Sequence, residues 1–349
     1  MSQQSGTPQQ LFFSLDIIIY WTSNIFKYNF SRILDDRYVG CPITDYWSFE
    51  NNSQKKVKRM EISNEKKKEL VRKYYGRIVE NSRKEVSCCG PSLKEDTPSC
   101  GCGSSNSSFI SNKIGYTPVE LSNLPRNANL GLGCGNPTAF AFLKEGDMVL
   151  DLGSGAGIDC FLAAQKVGKS GKVIGIDMTP SMVQKANENA KSGGYQNVEF
   201  RIGEIENLPV EDHSIDVIIS NCVINLVPRK LKAFQEAFRV LKPGGRLMIS
   251  DIVIQKELPA FIKTSLEAYA GCIAGAVPRN EYLDAIAKAG FTEIEIIKDN
   301  VFNMDFIASF PEFQRMFNNN PEIIRILKSN RQLLSDLVAS IGVRALKPV

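Results

Sequence analysis

The chain has 349 residues, 43% of them apolar and 23% charged, an ordinary globular composition with enough length for one large domain or two modest ones. Its 42 basic and 38 acidic residues leave a net charge of +4, so slight an excess that it gives no reason to expect a nucleic-acid partner. A single histidine, His213, excludes a His-rich metal site or a two-His mechanism, and no apolar run reaches the ~18 to 20 residues that span a bilayer.

The longest candidate for a membrane segment, 11–21, contains Asp16 and lacks the basic start and small-residue cleavage site of a signal peptide. Residues 1–59 hold no helical or strand period and read as a leader extension, disordered or accessory, with Cys41 inside it. Met60 opens an amphipathic helical stretch, with Leu70, Val71, Tyr74 and Ile78 on one face. The stretch 81–129 is dense in Ser, Gly, Pro and Asn and carries Cys88, Cys89, Cys100 and Cys102. It is too long and too polar for an ordinary connection. Helix and Cys-rich loop together make a segment 60–129.

Strands and helices then alternate. Apolar runs rich in Val and Ile lie at 148–152, 173–176, 198–202, 217–220 and 247–252, with helical patterns at 158–167, 181–191 and 230–241. This alternation predicts an α/β fold: a doubly wound, mostly parallel sheet with helices on both faces. The expected core is 130–277, followed by a smaller α+β segment, 278–349, mostly helical over 302–334 and closing as a strand over 337–346.

Asp151-Leu152-Gly153-Ser154-Gly155-Ala156-Gly157 joins the first strand to the first helix. Alternate glycines let the backbone turn sharply and let a ligand approach closely. The spacing is not the usual phosphate-cradling one, and no Lys-Ser or Lys-Thr follows, which excludes a P-loop. Asp177 ends the second strand, where an acid can accept both hydroxyls of a ribose. The layout requires no phosphate and fits a sulfonium nucleoside such as S-adenosylmethionine, with Asp151 near its ammonium group. Met178 is placed on the adenine face. Glu204 or Glu206, with the backbone of Ile205, is placed at the adenine edge. Asn221, at the end of the fourth strand, completes the cofactor-binding set.

These residues, with Leu241-Lys242-Pro243-Gly244-Gly245 before the fifth strand, resemble the class I S-adenosylmethionine-dependent methyltransferases over about 140–300. The resemblance implies a Rossmann-like seven-stranded sheet and S-adenosylmethionine as cofactor.

Nine cysteines, an odd number spread along the chain, read poorly as a secreted disulfide framework. They agree better with a reducing, cytoplasmic setting. Cys134 precedes the first strand, Cys222 follows the fourth and Cys272 comes after the fifth. Loops at the carboxyl ends of strands form the ligand crevice of a doubly wound sheet, so these three thiols can converge. Cys160, on the first helix, reads as core, and His213 as an exposed turn. With Asn221-Cys222-Val223-Ile224-Asn225-Leu226-Val227-Pro228, Tyr74-Tyr75-Gly76, Gly133-Cys134-Gly135 and Gly271-Cys272, the chain closely resembles the arsenite methyltransferases from about residue 60 onward. That resemblance implies arsenite bound by Cys134, Cys222 and Cys272, and a disulfide-exchange thiol at Cys88 or Cys89. It also implies a thiol reductant of the glutathione or thioredoxin kind as partner.

The chain departs from the family pattern in its leader, at Gly131-Leu132 before the first thiol, and in its crowded Cys88, Cys89, Cys100 and Cys102. Those four leave room for a zinc site or a further arsenic-capturing loop. Two other readings stand beside arsenite methylation. One is a methyltransferase for a small organic acceptor such as a quinone precursor, and the other a thiol-rich metalloid binder without catalysis.

Overall fold

The apolar runs become the parallel strands β1 (Met148–Leu152), β2 (Lys172–Asp177), β3 (Val198–Ile202), β4 (Ile215–Asn221) and β5 (Leu241–Ile254). The computed structural model describes residues 63–85, 104–263, 265–302 and 336–349, which fall within one unit, Ile62–Val349. Two further strands, β6 (Thr292–Val301) and β7 (Val338–Leu346), extend the same sheet. The order is β3-β2-β1-β4-β5-β7-β6, with β7 antiparallel to both neighbours.

Strand side chains alternate between the two faces. Leu150, Leu152, Ile174, Ile176 and Ile218 pack beneath helices α6 (Lys230–Val240) and α9 (Arg279–Lys288), against Phe234, Ala237, Tyr282 and Ile286. Val149, Val173, Val217 and Ile219 pack on the opposite face beneath α4 (Ile158–Val167) and α5 (Pro180–Gly193), against Cys160, Phe161, Ala164 and Ala186. Both faces are thus dry, which is why the strands read as nearly continuous apolar runs. Each large side chain fully buried this way contributes about 1.5–3 kcal/mol.

Four details differ from the sequence reading. First, α1 (Asn64–Glu85) turns Lys68, Val71 and Val79 inward, while Leu70, Tyr74 and Ile78 are only half-buried. The face is rotated because the Lys68 ammonium is drawn to two carboxylates beneath the helix. Second, the polar stretch read as loop contains α2 (Ser104–Ile114) and α3 (Pro118–Ser122). Tertiary packing of Ile110 and Ile114 overrides the weak propensity of the Ser- and Asn-rich α2. In α3 a capping box between Thr117 and Glu120, with Pro118 in the first turn, sets the start. Third, α6 ends at Val240 because Leu241 already pairs with Ile215, and Pro243-Gly244-Gly245 is absorbed into β5 as an irregularity. Fourth, β6 is an edge strand that the sequence did not single out. Its outer positions are exposed, so little of it reads as buried.

The short helices α7 (Ala260–Lys263) and α8 (Leu266–Ala270) lie in the connection between β5 and α9. The leader 1–59, the thiols Cys88, Cys89, Cys100 and Cys102, and most of the helical pattern over 302–334 lie outside the described residues. Among the described residues no helix is long and apolar enough to cross a membrane.

Candidate active site

Connections run outward from β1 to β2 and β3, then cross back to β4 on the other side of β1. The crevice between the carboxyl ends of β1 and β4 is the switch point where ligands bind in such sheets, and a cavity opens there. Its floor is the glycine turn. Gly153, Gly155 and Gly157 have φ of 74°, 52° and 97°, values that suit glycine. A Cβ on Gly153 would collide with the Val223 side chain, whereas one on Gly155 would meet nothing within 4 Å. The turn is tied to β2 by the Gly153 and Ser154 N–H groups, which donate to the Ile176 carbonyl at 2.8 and 3.0 Å.

Asp177 closes that end. Its Oδ2 accepts from the Gly155 N–H at 3.0 Å and its Oδ1 from the Thr179 N–H at 2.8 Å. Burial raises its carboxyl above the usual range despite these bonds. Met178 lines the wall beside it, and Ser154 Oγ is buried with no hydrogen-bond partner among the described residues.

Ile205, Glu204 and Glu206 line the next part of the wall. The two carboxylates are committed to cations. Lys68 Nζ lies 2.6 Å from Glu204 and 2.7 Å from Glu206, Arg72 pairs with Glu204 at 2.5 Å, and Arg229 Nε reaches Glu206 at 3.2 Å. Burial opposes ionisation of Glu206, but Lys68 and Arg229 outweigh it and hold the carboxyl below its ordinary range. Lys68 thus fastens α1 over this end of the cavity, a role sequence reading passed over.

Asp151 is not part of the cavity wall. It is 2% exposed and accepts a hydrogen bond from the Cys160 thiol at 3.2 Å. The carboxylate that lines the cavity there is Asp159, in the first turn of α4. Its Oδ1 accepts from the Tyr116 hydroxyl at 2.8 Å and its Oδ2 from Asn221 Nδ2 at 3.2 Å. Burial raises its carboxyl to about 6. The signal for Asp159 was available in the sequence, since a residue two places past the last glycine sits at a helix start facing the turn.

Cys134, Cys222 and Cys272 come together, as the loop positions predicted. The neighbouring Cys134 and Cys272 thiols, together with burial, push the Cys222 thiol well above its usual range. Cys272 Sγ donates to the Cys222 carbonyl at 2.8 Å. Cys134, held 2% exposed, is raised chiefly by burial. Cys222 and Cys272 line the cavity, and the sulfur of buried Cys134 lies within 4.8 Å of that of Cys222. Leu226, Ile252, Ile273 and Phe302 supply an apolar surround.

A polar group behind the thiols escaped sequence reading. Asp251 is fully buried, with a carboxylate oxygen within 4.8 Å of the Cys134 and Cys222 sulfurs. It accepts from Asn225 Nδ2 at 2.8 Å, the Ile252 N–H at 2.9 Å and the Tyr282 hydroxyl at 3.0 Å. Burial raises it to about 6.

A profile described as a methyltransferase domain matches residues 143–298. Among curated proteins, an arsenite methyltransferase of Halobacterium salinarum is 45% identical over 233 residues, which cover 66% of this chain and 59% of that protein. Another, from Aquipseudomonas alcaligenes, is 37% identical over 240 residues, covering 66% of this chain and 64% of that one. In both cases the match spans less than two thirds of the relative's length. Among solved structures, an arsenic(III) S-adenosylmethionine methyltransferase from Chlamydomonas reinhardtii is 30% identical, with 69% of this chain and 73% of that chain covered and a TM-score of 0.49. The matched profile thus places a methyltransferase domain over residues 143–298, and the curated proteins to which the chain is similar are arsenite methyltransferases.

Proposed function

We propose that the protein methylates arsenite held by Cys134, Cys222 and Cys272, using S-adenosylmethionine. The observation that carries this reading is the meeting of three thiols from three distant loops, two of them lining the crevice that holds the glycine turn and Asp177. A small organic acceptor such as a quinone precursor would leave those thiols without a role.

The residues present suit the cofactor. Gly155 leaves an open face, Ser154 Oγ is a buried hydroxyl awaiting a partner, and Asp177 keeps unused lone pairs on both oxygens. Asp177 would hold the ribose hydroxyls, Met178 and Ile205 the adenine, and Asp159, rather than Asp151, the ammonium group. Glu204 and Glu206 serve instead to fasten α1 through Lys68. Bound S-adenosylmethionine supplies an electrophilic methyl group.

Trivalent arsenic is soft and prefers sulfur ligands. Three protein thiols displace three hydroxyls of arsenous acid, each S–H proton leaving with a hydroxyl as water. The exchange is balanced without net proton release, so the raised pKa values of Cys134 and Cys222 suit it. Arsenic then keeps a lone pair and is itself the nucleophile. No general base is needed, in keeping with His213, exposed in the turn before β4 and away from the crevice. The protein's part is to orient arsenic and exclude water. Methylation raises arsenic formally from trivalent to pentavalent. Two electrons from a thiol reductant of the glutathione or thioredoxin kind restore it, with Cys88 or Cys89 as relay. A reducing compartment such as the cytoplasm keeps such thiols free.

The test is incubation with labelled S-adenosylmethionine, a thiol reductant and arsenite, followed by arsenic speciation. Methylated arsenic carrying label is expected. Arsenic left unmethylated by folded protein that binds the cofactor would sink the reading.

A further inference from the structure

Asn221 sits between the acid of the cofactor crevice and the loop that carries the first thiol. Its Nδ2 donates to the Gly135 carbonyl at 2.7 Å, the Tyr116 hydroxyl at 2.9 Å and Asp159 Oδ2 at 3.2 Å. Its Oδ1 accepts from the Cys134 N–H at 3.0 Å and the Gly135 N–H at 3.3 Å. Turned over about its last bond, the amide would set its oxygen against a carbonyl and a carboxylate, and its NH2 against two backbone N–H groups. Only one orientation sets donors against acceptors throughout, with the two amide hydrogens shared among the three acceptors. Tyr116 donates its own proton to Asp159 Oδ1 at 2.8 Å, which leaves its hydroxyl oxygen free to accept from Asn221.

The thiol loop has no slack against this amide. A Cβ on Gly133 would lie 2.8 Å from Asn221 Nδ2, and one on Gly135 2.5 Å from Ser250 Oγ. Glycine at 133 is therefore what allows the loop to press onto Asn221, and glycine at 135 what allows it to press onto Ser250. Asn221 is also the last residue of β4, so its backbone leads into Cys222 while its side chain holds the backbone of Cys134.

We propose that Asn221 is a positioning residue that couples the two halves of the site: Asp159 orients its amide, and the amide sets Cys134 in register with Cys222. The inference rests on the reading of the crevice as a cofactor site and of the thiols as an arsenic site. A cofactor ammonium beside Asp159 keeps that side chain an acceptor, which holds Nδ2 toward it and Oδ1 toward the thiol loop. Without the cation, and below the value of about 6 to which burial raises its carboxyl, Asp159 is protonated, can donate from the same oxygen and releases the amide. Cofactor and arsenite then favour each other's binding, and by linkage the effect is reciprocal.

The experiment titrates arsenite by calorimetry into the full chain at about pH 5, where free Asp159 is mostly protonated, in a phosphine reductant, with and without saturating S-adenosylhomocysteine. In the unsubstituted protein, arsenite should bind about 5-fold or more tightly when S-adenosylhomocysteine is present. In Asn221→Ala the ratio should fall to about one, with weaker arsenite binding in both states. Asp159→Asn, which places an NH2 against the Asn221 amide, should also bring the ratio to about one and serves if Asn221→Ala does not fold. A merely structural Asn221 would weaken binding and leave the ratio as it was, which overturns the proposal. Tight arsenite binding with a ratio of one in the unsubstituted protein overturns it as well, and leaves the arsenite reading standing. No arsenite binding at all in that protein overturns the arsenite reading itself and this coupling with it.

Discussion

Cys222 and Cys272 share a left-handed backbone, with φ of 59° and 64°, and the Cys272 thiol donates to the Cys222 carbonyl at 2.8 Å. A positive φ is uncommon outside glycine and costs on the order of 1 kcal/mol or more for a side chain with a Cβ. Two of the three thiols of the site are therefore held in strained backbone. The neighbourhood enforces the strain: Gly275 lies so close to the Asn225 carbonyl that a Cβ there would collide with it.

Glycine should suit these two positions better than alanine. Cys222→Gly and Cys272→Gly should each be more stable than the matching alanine variant by about 1 kcal/mol, although all four lose arsenite methylation. At Cys160, inside helix α4, the order should reverse, with alanine above glycine by about 1 kcal/mol. Urea unfolding of the six variants checks this, and an alanine advantage at 222 and 272 would contradict the strain.

Serine keeps the shape of each thiol and removes its affinity for arsenic. Cys134→Ser, Cys222→Ser and Cys272→Ser should each lower methylation of arsenite by roughly 100-fold or more, because arsenic held by two thiols is no longer aimed. Cys160→Ser, whose hydroxyl can still donate to Asp151, should stay active. Arsenic speciation over time separates the four. Full activity in any of the first three would favour another acceptor.

Asp177→Ala should weaken S-adenosylmethionine binding. Loss of a charged acceptor for the ribose hydroxyls costs on the order of 1.5 to 3 kcal/mol, or roughly 10- to 100-fold in affinity. Cofactor calorimetry measures this. An affinity equal to that of the unsubstituted protein would show that the ribose lies elsewhere.

Cofactor affinity should depend on pH through Asp159, whose carboxyl burial raises to about 6 in the free protein. The cofactor's ammonium favours the charged form, so the bound-state value is lower. Affinity is then complete above pH 6 and declines as pH falls below it, by up to tenfold per unit until the bound-state value is reached. In Asp159→Asn the decline attributable to this group should vanish. Comparing the two profiles separates it from Asp177, which burial also raises.

What the sequence by itself determined was the frame and the thiols. Nearly continuous apolar runs between helical stretches specify a parallel sheet covered on both faces, and glycines after the first run specify a sharp turn with an acid at the next strand's end. The places of Cys222 and Cys272 after the fourth and fifth strands allowed them to meet, because loops at the carboxyl ends of parallel strands share one crevice, whereas Cys134, which precedes β1, joins them through the packing of its loop on Asn221. Side-chain partners were not legible, because a partner is chosen across space rather than along the chain. Asp151 and Asp159 are both acids beside the same turn, and only packing decides that Asp151 turns inward to Cys160 while Asp159 faces the cavity. Glu204 and Glu206 look free in sequence, yet Lys68, more than 130 residues earlier, bridges them, with Arg72 on Glu204 and Arg229 on Glu206. Asp251 and Tyr282 become neighbours of the thiols only because β5 and α9 pack together in the folded core. Local pattern encodes which face of an element is apolar, whereas a buried polar group is settled by whichever donors and charges the tertiary fold brings within reach.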